Sequence, residues 1–227
     1  MGNVIILCSG GLDSVTTAHY LKKKLNYNQG IILFFNYGQR ALIKERFCSR
    51  KCAEELDYKF QEIKLPELSK LSSSLINIRK KAKKLSRKDL KNTKKESMNF
   101  YVPFRNSIFI AYALALAESL FIKEKKIYEI FLGFKNEGSE SYPDTTEKYV
   151  KEINNLMKVA TNGKFKIKAP LIKKDKEEIV KLGAKLNVNF KNTHSCYVSN
   201  KSCGSCLACM LRKEGFYWSG IKDPTEY

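Results

Sequence analysis

The chain has 227 residues, 43% of them hydrophobic, which fits one globular domain with a small appendage and excludes a disordered or fibrous chain. A formal charge of +19 admits a polyanionic partner without establishing one, because ten Lys or Arg fall between Ile76 and Lys95 and lysine dominates the rest. The longest apolar run, Ile108 to Ala117, is half of what a bilayer requires, and the N-terminus leads straight into Val4-Ile5-Ile6-Leu7-Cys8, so the expectation is a cytoplasmic protein with no signal peptide or membrane span.

Val4 to Cys8 is a short continuous apolar run, the pattern of a strand buried on both faces. Gly10-Gly11 ends it, and a helix is predicted from Ser14 to Leu25 with Val15, Ala18, Leu21 and Leu25 on one face. Ile31 to Asn36 reads as a second strand, Ala41 to Leu56 as a helix and Lys59 to Leu65 as a third strand. Residues 66–97 lack a clear apolar period and are expected to form a basic insertion, mobile or weakly helical, with 76–95 dispensable for chemistry. Ser107 to Phe121 is an alanine-rich helix, apolar nearly all round and therefore expected to be buried. A fourth strand follows at Ile127 to Gly133. A helix follows at Asp144 to Ala160, with Tyr149, Ile153, Leu156 and Met157 along its apolar side. Phe165 to Ala169 is a fifth strand, Asp175 to Leu186 a helix, and a last short helix closes the chain. The alternation predicts an α/β fold, doubly wound around a mostly parallel five-stranded sheet. Residues 1–190 form the expected main domain and 191–227 a cysteine-bearing tail.

Ser9-Gly10-Gly11-Leu12-Asp13-Ser14 stands between the first strand and the first helix. Glycines let the backbone turn and approach an anion closely. The helix N-terminus adds free N–H groups and the positive end of its dipole. Successive N–H groups form a nest suited to a pyrophosphate, and Asp13 can hold Mg²⁺ beside it. The loop lacks the Lys-Ser/Thr ending of a Walker loop and the third glycine of a dinucleotide fingerprint. The plainer reading is a strand-to-helix turn with Asp13 or Ser14 as N-cap.

Seven cysteines in a cytosolic chain argue against a disulfide framework. Cys8, Cys48 and Cys52 sit in apolar or helical contexts as small hydrophobes. Cys196, Cys203, Cys206 and Cys209, spaced C-x6-C-x2-C-x2-C, can close a tetrahedral Zn²⁺ site, one structural ion per chain. An iron–sulfur cluster is the competing reading. His194 beside Cys196 is either a group supporting the metal ligands or a loop histidine.

The glycine loop resembles that of the N-type ATP pyrophosphatases, which transfer AMP to a substrate oxygen and release pyrophosphate. Further motifs follow in order: Asn36-Tyr37-Gly38-Gln39-Arg40, Tyr101-Val102-Pro103-Phe104-Arg105-Asn106, Ser141-Tyr142-Pro143-Asp144, Pro170-Leu171-Ile172-Lys173-Lys174, and Ser195-Cys196-Tyr197 with the last three cysteines. Together they resemble the 7-cyano-7-deazaguanine synthase family of the queuosine pathway, over nearly everything except 66–97. Phe104 stands where that family usually has Gly, and Asn36 and Ala41 where it has an acidic residue and a His. The resemblance implies an adenine-nucleotide α-hydrolase-like fold and a homodimer. It also implies ATP and Mg²⁺ at a site made by Cys8, Ser9, Gly10, Gly11, Leu12, Asp13, Ser14, Val15, Thr16, Thr17 and Ala18. Its substrates would be 7-carboxy-7-deazaguanine and ammonia, with Tyr101, Arg105, Asn106, Tyr142 and Asp144 as substrate contacts and Asp13, Lys173 and Arg105 as catalytic residues. Nucleic acid is not required by this reading. The basic excess keeps open a tRNA-modifying adenylating enzyme, or a zinc-bearing nucleic-acid binder without catalysis.

Overall fold

The computed structural model describes residues 2–135 and 142–227. Five strands form one sheet: β1 Asn3–Leu7, β2 Gln29–Asn36, β3 Lys59–Lys64, β4 Tyr128–Leu132 and β5 Ile167–Lys168. Their order is β3-β2-β1-β4-β5, and every pairing is parallel. Ile5 of β1 lies level with Ile31 of β2 and Ile130 of β4, so the central strands are apolar on both faces. That is the pattern a parallel sheet covered on both sides requires.

The helices are α1 Leu12–Lys23, α2 Leu42–Leu56, α3 Pro66–Lys70, α4 Lys94–Met98, α5 Arg105–Glu124, α6 Glu147–Ala160, α7 Lys176–Lys185 and α8 Leu207–Ser219. One core holds Val4, Ile6 and Ile32 of the sheet with Leu12, Val15, Ala18 and Leu21 of α1, and with Ile179 and Val180 of α7. The other holds Ile5, Leu33 and Ile130 with Ile110, Ala113 and Ala117 of α5. The carboxyl ends of β1, β2 and β4 thus open between α1, α2 and α5, where open α/β sheets bind ligands.

Four expectations change. α1 begins at Leu12, two residues early, because Gly11 and not Asp13 or Ser14 is its N-cap. α5 is buried along one stripe only: Tyr112 and Ile122 face outward, although by length and composition the helix could cross a bilayer. The stretch expected as one helix from Asp144 is a 3-10 turn, Pro143–Thr145, followed by α6, where Thr146 caps the Tyr149 N–H and Leu156 is exposed. β5 is shorter than the apolar run predicted.

Residues 66–97 are anchored to the body. Leu68, Ile76 and Leu85 are buried and belong to the same core cluster as the inner stripe of α5. Arg40 Nη1 donates to the carbonyls of Leu75, Ile78 and Lys80, the Leu85 N–H bonds the Ser205 carbonyl, and Arg87 pairs with Glu214 of α8. The anchors are single residues on irregular chain, so they leave no periodic trace. Deleting 76–95 would remove two core side chains, so the segment is a packed part of the domain and not the mobile insertion expected. Leu85→Ala alone is expected to cost about 2–4 kcal/mol in denaturant unfolding; a change below about 0.5 kcal/mol would show that the segment is not part of the core.

Candidate active site

The glycine loop is shaped by its neighbours. Gly10 has φ +77°, and a Cβ there would lie 2.6 Å from the Glu45 carbonyl oxygen and 2.8 Å from the Ser49 nitrogen of α2. A side chain is therefore barred by conformation and by space. Gly133, just past β4, packs equally close: a Cβ would meet Ser14 Cα at 2.7 Å. Gly11 at the N-cap brings no side chain to compete for the first-turn N–H groups of α1. Ser14 Oγ donates to the Gly11 carbonyl, and Ser9 Oγ accepts from the Gly11 N–H. Ser9 and Ser14, on either side of the N-terminus of α1, line the cavity beside the loop.

Asp13 lies in the first turn of α1 and is held by Lys176, whose Nζ stands 2.6 and 2.8 Å from its two carboxylate oxygens. Lys176 is the first residue of α7, fixed by a capping box between Asp175 and Glu178. Sequence reading missed it. Lys173, three residues earlier, is 79% exposed and, among the described residues, pairs with Glu147 at 3.7 Å. None of Asp13, Lys173 and Lys176 is among the described residues that line the cavity beside the loop.

Beside the loop lies a cavity of about 230 Å³. Cys8, Ser9 and Ser14 form its loop side, Phe35 and Phe109 its apolar wall, and Arg105, Asn106, Tyr142 and Glu45 its polar groups. The Phe35 and Phe109 rings stack on each other at 4.0 Å, and both line the cavity. Arg105 opens α5 after Phe104, which takes a left-handed backbone (φ 55°) and is 67% exposed. The Arg105 guanidinium donates to Tyr37 Oη at 3.2 Å and, through Nε and Nη2, to Asn106 Oδ1 at 3.3 Å. Burial pushes the Tyr37 hydroxyl up to about 12 against the pull of Arg105, so it stays a neutral partner. Cys8 donates to Ser14 Oγ, and its thiol is drawn down to about 7 by a hydrogen bond with Cys52, against burial.

An adjoining hollow holds Asp144, Tyr101, Asn106 and Tyr142. Asp144 is buried, and its Oδ1 has no partner among the described residues. Burial raises its carboxyl above the usual range, with the Arg105 charge opposing. Tyr101 and Tyr142 stack at 5.9 Å, and Tyr142 Oη donates to the Ser97 carbonyl. Ser141, the first residue of that motif, lies outside the described residues. Of the loop stretch 8–18, Cys8, Ser9 and Ser14 reach the cavity, whereas Leu12, Val15, Thr16, Thr17 and Ala18 face the core.

The sulfurs of Cys196, Cys203, Cys206 and Cys209 all lie within 4.8 Å of one another. Cys203 to Cys209 is 3.9 Å and Cys196 to Cys206 is 4.0 Å, close to the roughly 3.8 Å edge of a tetrahedron with Zn–S bonds of about 2.3 Å. Gly204 (φ +70°) makes the turn that lets the Cys206 N–H donate to Cys203 Sγ, and Cys206 caps α8 so that Cys209 follows one turn on. Such a donor set fits a closed metal site. The tail is also riveted by Arg212, fully buried, which bonds Asp223, Thr193 Oγ1 and the Phe190 carbonyl. It supports the glycine loop directly, since the His194 N–H donates to the Gly10 carbonyl. The His194 ring bonds the Ser199 carbonyl and so braces the cysteine loop.

An all-parallel α/β sheet with an anion-suited glycine loop and a polar cavity at its carboxyl edge, braced by a four-cysteine tail, defines an α/β enzyme of the doubly wound class. Residues 3–220 match the family described as queuosine biosynthesis protein QueC. The chain is 36% identical to a 7-cyano-7-deazaguanine synthase of Methanococcus aeolicus, with 98% of each chain covered. It is 37% identical to one of Nitratiruptor sp., over 98% of this chain and 97% of that one. NMN synthetase from Francisella tularensis superposes with a TM-score of 0.46 at 16% identity, over 97% of this chain and 78% of that one. The chain belongs to the QueC family.

Proposed function

We propose that the chain is an ATP-dependent carbon–nitrogen ligase that converts 7-carboxy-7-deazaguanine and ammonia to 7-cyano-7-deazaguanine. The observation that carries this reading is the junction of the glycine loop with one cavity that presents Arg105 and, in the adjoining hollow, Asp144, whose Oδ1 has no partner among the described residues. A guanidinium suits the carboxylate of the substrate, and a buried carboxyl suits the donor edge of a guanine-like ring. The stacked Phe35 and Phe109 offer a face for a planar heterocycle.

A carboxylate does not yield to ammonia directly, because oxide would have to leave. Transfer of AMP to the carboxylate oxygen, with pyrophosphate released, makes that oxygen a leaving group. Ammonia then forms the amide and AMP departs. A second transfer, to the amide oxygen, lets AMP leave with the C–O electrons and both amide protons pass to solvent or a base as the nitrile forms. The loop N–H groups and the α1 dipole would hold the pyrophosphate portion. Mg²⁺ would accompany the ATP with Asp13 as its protein ligand, and Lys176, released from that carboxylate, would turn to the phosphates. Lys176 takes the role that the resemblance assigned to Lys173. Zinc held by the four cysteines would be structural, with no open position for substrate. The exposed Phe104, Tyr112 and Ile122 along α5 support the expected homodimer.

The test is nucleotide analysis with each substrate in turn. AMP and pyrophosphate are expected, not ADP and phosphate, and the 7-carboxamide is expected to be accepted. Arg105→Ala should slow the carboxylate step more than the amide step, because only the first substrate carries a negative charge. ADP as product, or refusal of the carboxamide, would contradict the scheme.

A further inference from the structure

Glu45 belongs to none of the motifs, yet among the described residues it is the only carboxylate lining the main cavity. It lies in the first turn of α2, and its carbonyl oxygen closes off the space beside Gly10. It therefore stands at the glycine loop on one side and faces Arg105 on the other. Its orientation is set by Gln39, whose Nε2 donates to Glu45 Oε2 at 3.0 Å and to the Phe35 carbonyl at 2.8 Å. Gln39 Oε1 accepts from the Tyr37 N–H at 2.9 Å, so the amide cannot flip without losing these bonds. No described residue bonds Glu45 Oε1.

This position is where the reaction needs a proton acceptor. At neutral pH nearly all ammonia is ammonium, which has no lone pair with which to attack. One proton must leave before the C–N bond forms, and a second leaves after it, as AMP departs with the electrons of the C–O bond. We propose that Glu45 takes the first of these protons, acting as the general base that releases ammonia beside the activated carboxyl group; the inference rests on the ligase reading above. An anionic carboxylate there also attracts ammonium into a cavity that Arg105 otherwise makes positive. The groups facing Glu45 are Gln39 and Arg105, which favour its ionised form, and Cys196 from the tail, which opposes it. Burial outweighs them and raises the carboxyl to about 7, where a base can both accept and return a proton at working pH.

Glu45→Gln keeps an oxygen to accept from Gln39 and removes the base. Three measurements test it. Carboxylate-dependent exchange of pyrophosphate into ATP reports the first activation; its absence in the unaltered protein would overturn the ligase reading and this assignment with it, whereas the two outcomes for the variant concern this assignment alone. Turnover of the variant with ammonium is expected to fall on the order of 10²-fold, while turnover with hydroxylamine, a nucleophile already neutral at pH 7, falls only a few-fold. Equal losses with both nucleophiles, or loss of exchange in parallel, would show that Glu45 binds substrate or nucleotide and would overturn the proposal. The third readout needs no substrate. The folded state holds the Glu45 proton more tightly than the unfolded chain, so this contribution to stability is complete below pH 4.5 and is lost as pH rises through about 7. The variant should lack that part of the pH dependence of melting, and an unchanged profile would count against the assignment.

Discussion

Asp13→Asn is expected to lower kcat/KM by about 10³ without lowering the melting temperature by more than a few degrees. Asp13 sits where the dipole of α1, the loop N–H groups and Lys176 converge, and its carboxylate is 2.6 Å from Lys176 Nζ. The neutral amide would neither ligate Mg²⁺ nor hold the lysine in reserve. Its structural cost is small because the pair is part-exposed, with Lys176 18% and Asp13 23% accessible, and such pairs contribute about 1 kcal/mol or less. Lys176→Met is expected to match it in direction, whereas Lys173→Met should change turnover less than about threefold, since Lys173 is 79% exposed. Steady-state kinetics on the three variants, with melting curves, decide the matter. A loss for Lys173→Met as large as that for Lys176→Met would mean that the segment after β5 rearranges when substrates bind.

Cys206→Ala is expected to release the metal and unfold the tail. Structural zinc sites carry on the order of 10 kcal/mol of binding free energy that is also folding free energy. The substitution leaves the backbone N–H of residue 206, which donates to Cys203 Sγ, and removes only the sulfur, the fourth of the expected metal ligands, for which the surroundings offer no substitute. The damage should reach the glycine loop, because the tail segment 193–196 bonds the Gly10 carbonyl through His194 and is pinned from behind by Arg212. A chelator that strips the metal should have the same effect as the substitution. Elemental analysis of fresh protein is expected to give one zinc per chain; iron in that position, or a folded and active metal-free protein, would refute the assignment.

The sheet, the glycine loop and the cysteine set were legible in the sequence because each is encoded locally. Val4 to Cys8 and Ile31 to Asn36 are continuous apolar runs because parallel strands are covered on both faces. The backbone at Gly10 has one residue type that fits it, and the cysteines are spaced by the turn and the helix that carry them. What only the tertiary structure decided are meetings between distant elements. Asp13 and Lys176 are 163 residues apart, and the capped start of α7 brings Lys176, not Lys173, to the loop. Glu45 lies in the first turn of α2, and only the fold brings it to one cavity with Arg105 and Phe109 of α5, which are distant in sequence. Arg212 reads as an ordinary solvated charge until Asp223, Thr193 and Phe190 close around it. Residues 66–97 read as unanchored because Ile76 and Leu85 each join the core singly, and single contacts made by irregular chain have no period to detect.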